Sequence, residues 1–286
     1  MPRTKRVVEK RTVGSPGQRI FADVMNTREL AAHRRRGGIV MLPLGCFEMH
    51  GVQASMSCDT FLVEAACRVA APLWKAVMYP PIHYTYPGAS GPWPGTVRIL
   101  PRDTLNYVIA VMKAILENGF KRLVLVSLHG PNAPMITLAL RTVFEEMGEI
   151  PVCWAPNYDD FCERVRKRYG ENHSEAALLL ASMYICGRHG EFDPAAPRGV
   201  RLEGPKFPFP SFSKLRRHRV DIPYYFTEPN HHVGLYPGLT LDDGPRLAQM
   251  WRDVVLESAR GLPEDYAKYQ KDMWRAMKRA PWKFVR

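Results

Sequence analysis

Two short, unbroken apolar runs constrain this chain more than anything else in it. They are Gly38-Ile39-Val40-Met41-Leu42-Pro43-Leu44, closed by Gly45, and Lys121-Arg122-Leu123-Val124-Leu125-Val126-Ser127. Both are too short for a core helix, and neither alternates polar with apolar residues. Runs of this kind, rich in β-branched side chains, are strands buried on both faces. A strand hidden on both sides needs a helical layer above and below it, and the surrounding sequence supplies helices. Asn26–Arg36 reads as a short first helix. Asp59 to about Leu73 has helical periodicity with an acidic start. Leu105 to Glu117 opens on Asp103-Thr104 and stops at Asn118-Gly119, and a further helix runs from about Ala133 to Met147. Ala76–Tyr79 and Pro151–Ala155 add strands. The expected fold class is therefore α/β, a three-layer α/β/α arrangement with a mostly parallel sheet.

Around this frame, His83–Pro94 is rich in Pro, Gly and aromatics and reads as irregular, while Thr96–Leu100 can be extended. Arg188 to about Asn230 is a Pro- and Arg-rich excursion that either covers a site or contacts another subunit. Helices are expected at Ala176–Ile185, Asp242 to about Arg260 and Glu264–Lys278. The length, 286 residues, suits one large domain. We divide the chain into a basic N-terminal extension with the first helix (1–36), a catalytic domain (37–263) and a basic helical tail (264–286).

The formal charge of +12 sits at the ends. Residues 1–36 hold ten Lys/Arg against three Asp/Glu, and 264–286 hold seven against three, which leaves the middle nearly neutral. No aromatic-interleaved basic stripe accompanies the charge, so nucleic acid is not an expected partner. The six cysteines form no CxxC pair, and with no apolar signal-peptide core the expected location is the cytoplasm. No run approaches the ~18 apolar residues of a membrane span.

The polar residues that carry chemistry follow the buried strands, where ligands gather in open parallel sheets. Glu48-Met49-His50 sets a carboxylate and an imidazole two residues apart, so that in an extended segment both point the same way. Asp59 begins the next helix, where a folded-back loop can offer it as a carboxylate bridging two metals. His129 leaves the second strand ahead of Gly130-Pro131-Asn132; the glycine allows close backbone approach, and Asn132 can orient a ligand or cap the next helix. Glu175 stands at a later helix start. Mixed His and carboxylate donors suit Zn, Mn or Fe, and two such ions a few ångströms apart form a hydrolytic site. The plainer alternative is a set of polar strand ends making structural hydrogen bonds. Tyr84, Tyr86, Trp93, Trp154, Tyr158 and His231-His232 are pocket candidates, although aromatics more often pack than bind.

The ordered blocks Leu42–Gly51 with Asp59, Trp93-Pro94-Gly95-Thr96, Gly119–Asn132 and Glu175 resemble the creatininase family of metal-dependent amidohydrolases over roughly residues 38–260. The resemblance implies a dinuclear Zn, Mn or Fe site, hydrolysis of amide-type C–N bonds in a small molecule, and often a homohexamer. By position, Glu48 and His129 would hold one ion and His50 and Glu175 the other, with Asp59 bridging and a metal-activated water as nucleophile. His173 is the candidate for proton transfer to the leaving nitrogen, or else orients Glu175. Substrate contacts fall to Ser90, Trp93, Asn132, Trp154 and His232. The chain departs from the family pattern at Gln53, Ser55, Ser90 and Pro131, which moves the substrate away from creatinine. Two other functions fit the same residues: hydrolysis of a cyclic ketone on the same metals, and a non-catalytic binding protein of the same fold.

Overall fold

The structure, a computed structural model, describes residues 19–51, 54–170, 174–193, 210–228, 232 and 238–279. Four strands, β1 (Ile39–Leu44), β2 (Val77–Met78), β3 (Arg122–Ser127) and β4 (Val152–Trp154), form one sheet in the order β2-β1-β3-β4. Every pairing is parallel, and β1 and β3 run in register from Ile39 opposite Arg122 to Leu44 opposite Ser127. The two apolar runs are thus the neighbouring central strands, and all six residues of β1 are buried.

Pleating sends alternate side chains to opposite faces. Ile39, Met41, Val124 and Val126 meet α2 (Cys58–Trp74), α5 (Tyr158–Tyr169), α6 (Ser174–Cys186) and α8 (Gly244–Ala259) on one side. Val40, Leu42, Leu44, Leu123 and Leu125 meet α3 (Pro101–Glu117) and α4 (Asn132–Met147) on the other. Helix α6 lies between α2 and α8, which is why it is apolar all round rather than striped. The three-layer expectation holds.

Local signals account for several boundaries. Helix α1 (Thr27–Arg35) starts at a capping box, in which Asn26 Oδ1 accepts from the Arg28 and Glu29 amides and Glu29 returns a bond to the Asn26 amide at 2.9 Å. Helix α4 ends at Gly148 in the left-handed region, φ 66°. Helix α5 has no counterpart in the sequence reading, because its mostly polar surface hides the few buried residues Phe161, Cys162 and Val165. The stretch expected to be extended at 96–100 forms no strand. Within the long excursion, α7 (Pro210–Arg216) is helical.

The basic C-terminal segment is docked rather than detached. Tyr266 and Gln270 of α9 (Leu262–Arg279) are buried; the Tyr266 hydroxyl donates to the Ile150 carbonyl at 2.7 Å, and Gln270 Nε2 donates to the Lys121 carbonyl at 2.7 Å. Its charge lies on the outer face. No described helix is long and apolar enough to cross a membrane.

The junction that matters for the site is Gly45. A Cβ there would lie 2.7 Å from Thr60 Cα and 2.8 Å from Thr60 N, so the end of β1 rests directly on the backbone of the first turn of α2. Its carbonyl accepts from Thr85 Oγ1 at 2.7 Å and from Asn132 Nδ2 at 3.3 Å. Gly130, where close backbone approach was expected, has open space instead: a Cβ there would meet nothing within 4 Å. Gly45→Ala is therefore expected to lower stability by about 1–3 kcal/mol, since backbone cannot yield as a side chain can. Gly130→Ala should stay within ~0.5 kcal/mol of the parent. Urea or thermal unfolding of the two variants checks both.

Candidate metal centre

The loop leaving β1 is fixed before any functional side chain is placed. The Glu48 amide donates to the Met56 carbonyl at 2.9 Å, the Met49 amide to Thr96 Oγ1 at 3.0 Å, and the Val97 amide to the Phe47 carbonyl at 3.0 Å. With α2 pressed against Gly45, this brings Glu48 (1% exposed), His50 (1%), Asp59 (4%) and His129 (5%) into one enclosed cluster. Glu175, from the first turn of α6, reaches its edge with 31% of its side chain exposed.

Each imidazole has one ring nitrogen committed to the main chain. His129 Nε2 lies 2.9 Å from the Tyr86 carbonyl, and His50 Nδ1 lies 3.2 Å from the Glu48 carbonyl. A carbonyl can only accept, so these nitrogens carry hydrogen, and in the neutral ring the opposite nitrogen is a bare lone pair. Those lone pairs face carboxylates. His129 Nδ1 is 3.1 Å from Asp59 Oδ2 and 3.3 Å from Glu48 Oε1; His50 Nε2 is 3.7 Å from Asp59 Oδ1 and 3.8 Å from Glu175 Oε1. Lone pairs aimed at anionic oxygens repel unless a cation lies between them. Asp59 Oδ2 is moreover buried without a hydrogen-bond partner. A main-chain carbonyl behind each histidine is the usual support of a metal ligand. The donor set therefore fits a divalent metal, and Asp59 turns one carboxylate oxygen toward each histidine.

The same geometry dictates the charges the cluster carries on its own. Burial works against a charged His50, but Asp59 and then Glu175 and Glu48 outweigh it and raise its pKa to about 9. His129 is likewise raised well above its ordinary value against the effect of burial, chiefly by Asp59. Burial opposes the charge on Asp59 too, and His129 and His50 overcome it, holding the carboxyl well below the usual range. Glu175 is pushed up by burial, with His50 opposing. In the bare cluster protons stand where cations would.

Around this centre, the Ser90 hydroxyl donates to Glu48 Oε2 and lies 2.8 Å from the Pro87 carbonyl. His232 Nε2 is 3.3 Å from Glu48 Oε1, and its ring lies 4.4 Å from that of His50 and stacks at 5.0 Å on Phe226. Phe226 belongs to the long excursion, which at this point reaches the site: its amide donates to the Ala89 carbonyl at 3.0 Å, and its carbonyl accepts from Trp93 Nε1 at 3.0 Å.

Other expected contacts lie elsewhere. Trp154 belongs to the core, because its register opposite Val126 turns it to the α2 side, edge-on to Trp74 at 4.7 Å. Asn132 caps nothing; its Nδ2 ties the strand ends through Gly45 and Ser127. Tyr84 is 55% exposed and packs on Phe47, and Tyr86 contributes its carbonyl. Tyr158 is half-buried, its hydroxyl pushed up by burial and by the charge of Glu175. His173, Gln53 and His231 lie outside the described residues. Missed from sequence were Cys46 and Cys58, each close to the cluster; standing two residues before Glu48 and immediately before Asp59 was the available signal.

Residues 23–190 match the family model described as creatininase, creatinine amidohydrolase. The chain belongs to the creatininase family. Among curated proteins it is 26% identical over 120 residues to the 3-dehydro-scyllo-inosose hydrolase of Thermotoga maritima, covering 39% of this chain and 36% of that protein. It is 26% identical over 134 residues to the creatinine amidohydrolase of Pseudomonas putida, covering 45% of this chain and 52% of that one. Each match thus spans about half or less of the relative's length. A solved structure named "Creatininase Mn" superposes with a TM-score of 0.64 at 22% identity, covering 87% of this chain and 99% of that one, which shows the shared creatininase fold.

Linkage gives the sign of a pH effect for this creatininase-family cluster. A histidine whose pKa is raised by folding stabilises the protein fully below its unfolded value, 6.5, and that contribution is lost as pH rises toward 9 for His50. Chelator-treated protein should therefore lose thermal stability as pH climbs through that window, and zinc-loaded protein should not. Zinc binding near neutral pH should also release protons, seen calorimetrically as a heat that varies with the ionisation enthalpy of the buffer.

Proposed function

We propose that this chain is a dinuclear metal-dependent hydrolase that cleaves a non-peptide C–N bond, of cyclic amide or formamide type, in a small molecule. The observation that carries this reading is the pair of imidazoles that each face two carboxylates and share Asp59. Glu48, Asp59 and His129 would hold one ion, and His50, Asp59 and Glu175 the other, the ions being Zn, Mn or Fe. When bound, the ions supply a water of lowered pKa and Lewis-acid polarisation of the scissile carbonyl.

The remaining tasks fall to the chain itself. The carbonyls of Tyr86 and Glu48 fix the tautomers of His129 and His50. Ser90 orients Glu48 through Oε2, leaving Oε1 to face His129. His232, with Phe226 behind it, forms a wall beside Glu48 and His50, where it can bind a polar substrate group and hold a proton at Nε2. Trp93, tied to Phe226, closes that wall against water. His173 keeps its assignment as the group passing a proton to the leaving nitrogen. The departures at Ser90 and Pro131 favour a substrate other than creatinine. Assembly as a homohexamer and residence in the cytoplasm complete the reading.

Hydrolysis of a cyclic ketone is the second reading, favoured by the match to the inosose hydrolase. A screen of lactams, formamides and cyclic ureas beside cyclic polyol ketones separates the two: an amine or formate supports the first, and a ring-opened acid supports the second. Asp59→Ala should remove both ions together, measured by elemental analysis of purified protein, and loss of a single ion would overturn the bridge. Ser90→Ala should lower metal affinity or kcat by ~10–100-fold while leaving the fold intact by circular dichroism, as loss of a group that orients a ligand does.

A further inference from the structure

The ligand set above leaves two buried thiols beside it without a role. Cys46 and Cys58 are both 0% exposed, and neither is in a disulfide. Cys46 Sγ and one donor atom each of Glu48, Asp59 and His129 lie within 4.8 Å of one another. The sulfur makes a long contact of 3.8 Å to the Thr85 carbonyl and a hydrogen bond with His129, itself a member of the group. Asp59, whose Oδ2 lies 3.1 Å from His129 Nδ1, belongs to the same group. One sulfur, one nitrogen and two carboxylate oxygens this close together are a four-donor set of the kind that a borderline-soft divalent ion takes. The adjacent main chain is pinned at Gly45 by Thr85 and Asn132 and by its contact with Thr60, so the sulfur is delivered by the fold itself. Cys58 lies in a smaller group, with His50 and Glu175.

We propose that Cys46 is a ligand of the ion held by Glu48, Asp59 and His129, and that this sulfur raises the site's preference for zinc over manganese beyond what nitrogen and oxygen donors give. The proposal rests on the dinuclear reading above. On binding, the S–H bond breaks, its proton passes to solvent, and the thiolate forms the bond to the metal. Manganese favours carboxylate and water oxygens and gains little from a thiolate, whereas zinc gains a strong bond. Cys46 rather than Cys58 is chosen because its group already contains four donors of three kinds.

Cobalt(II) tests this on the full chain after chelation, because its visible ligand-field bands report metal binding and its near-ultraviolet charge-transfer band reports sulfur coordination. Both are expected in the parent. Cys46→Ser should keep the visible bands and lose the charge-transfer band, and Cys58→Ser should keep both. Visible bands without charge transfer in the parent, or a charge-transfer band unchanged in Cys46→Ser, overturn the proposal. Absence of visible bands in the parent overturns the dinuclear reading itself, and the proposal with it. With equimolar zinc and manganese, the ratio bound should fall by roughly tenfold or more in Cys46→Ser relative to the parent; an unchanged ratio refutes the selectivity. If Cys46→Ser does not fold, cadmium-113 resonance of the parent decides: a shift in the sulfur-coordinated range supports the proposal, and one in the nitrogen and oxygen range overturns it.

Discussion

A carboxylate buried at the start of a helix, with an imidazole facing each of its oxygens, is the constraint around which this molecule is arranged. Asp59 is 4% exposed, and a charge so far from water persists only where opposite charge is brought to it. His50 and His129 supply it from two different strand ends, and they can do so only if β1, β3 and the first turn of α2 meet at one place. Gly45 permits that meeting by letting backbone rest on backbone. Fold and site are thus one requirement: the parallel pairing of β1 with β3 puts their ends side by side, and the register carries Leu44 and Ser127 to the same level.

The carbonyls behind the two histidines extend the argument outward. Tyr86 offers its carbonyl to His129, and Ser90 its hydroxyl to Glu48, from the irregular loop between β2 and α3, so that loop shapes the cluster. The same loop anchors the excursion through Ala89 and Trp93, and Phe226 then backs His232 against His50. Chemistry and cover are linked through hydrogen bonds accepted by main-chain carbonyls, which persist when the side chains of the accepting residues change. That suits a family in which a shared hydrolytic scaffold serves different substrates.

Some elements were legible because one physical signal decides them. Unbroken apolar runs gave β1 and β3, and the Asp103-Thr104 start and Asn118-Gly119 stop gave the limits of α3 to within a few residues. Helix α5 and the docking of α9 were not legible, since a mostly polar helix with a few buried residues looks solvated until its neighbours are known. Trp154 was misplaced for a related reason: an aromatic residue at a strand end faces either ligand or core according to register, and register is a property of two strands rather than one.

By itself, then, the sequence determined which residue types leave the strand ends, because apolar runs and the polar residues that follow them are local facts. It could not determine that Cys46 shares a space with Glu48, Asp59 and His129, or that Asn132 is a strut. Those depend on distances between segments up to 87 residues apart. Only packing decides them, because the Gly45 contact and the parallel register set which side chains from the two strand ends meet.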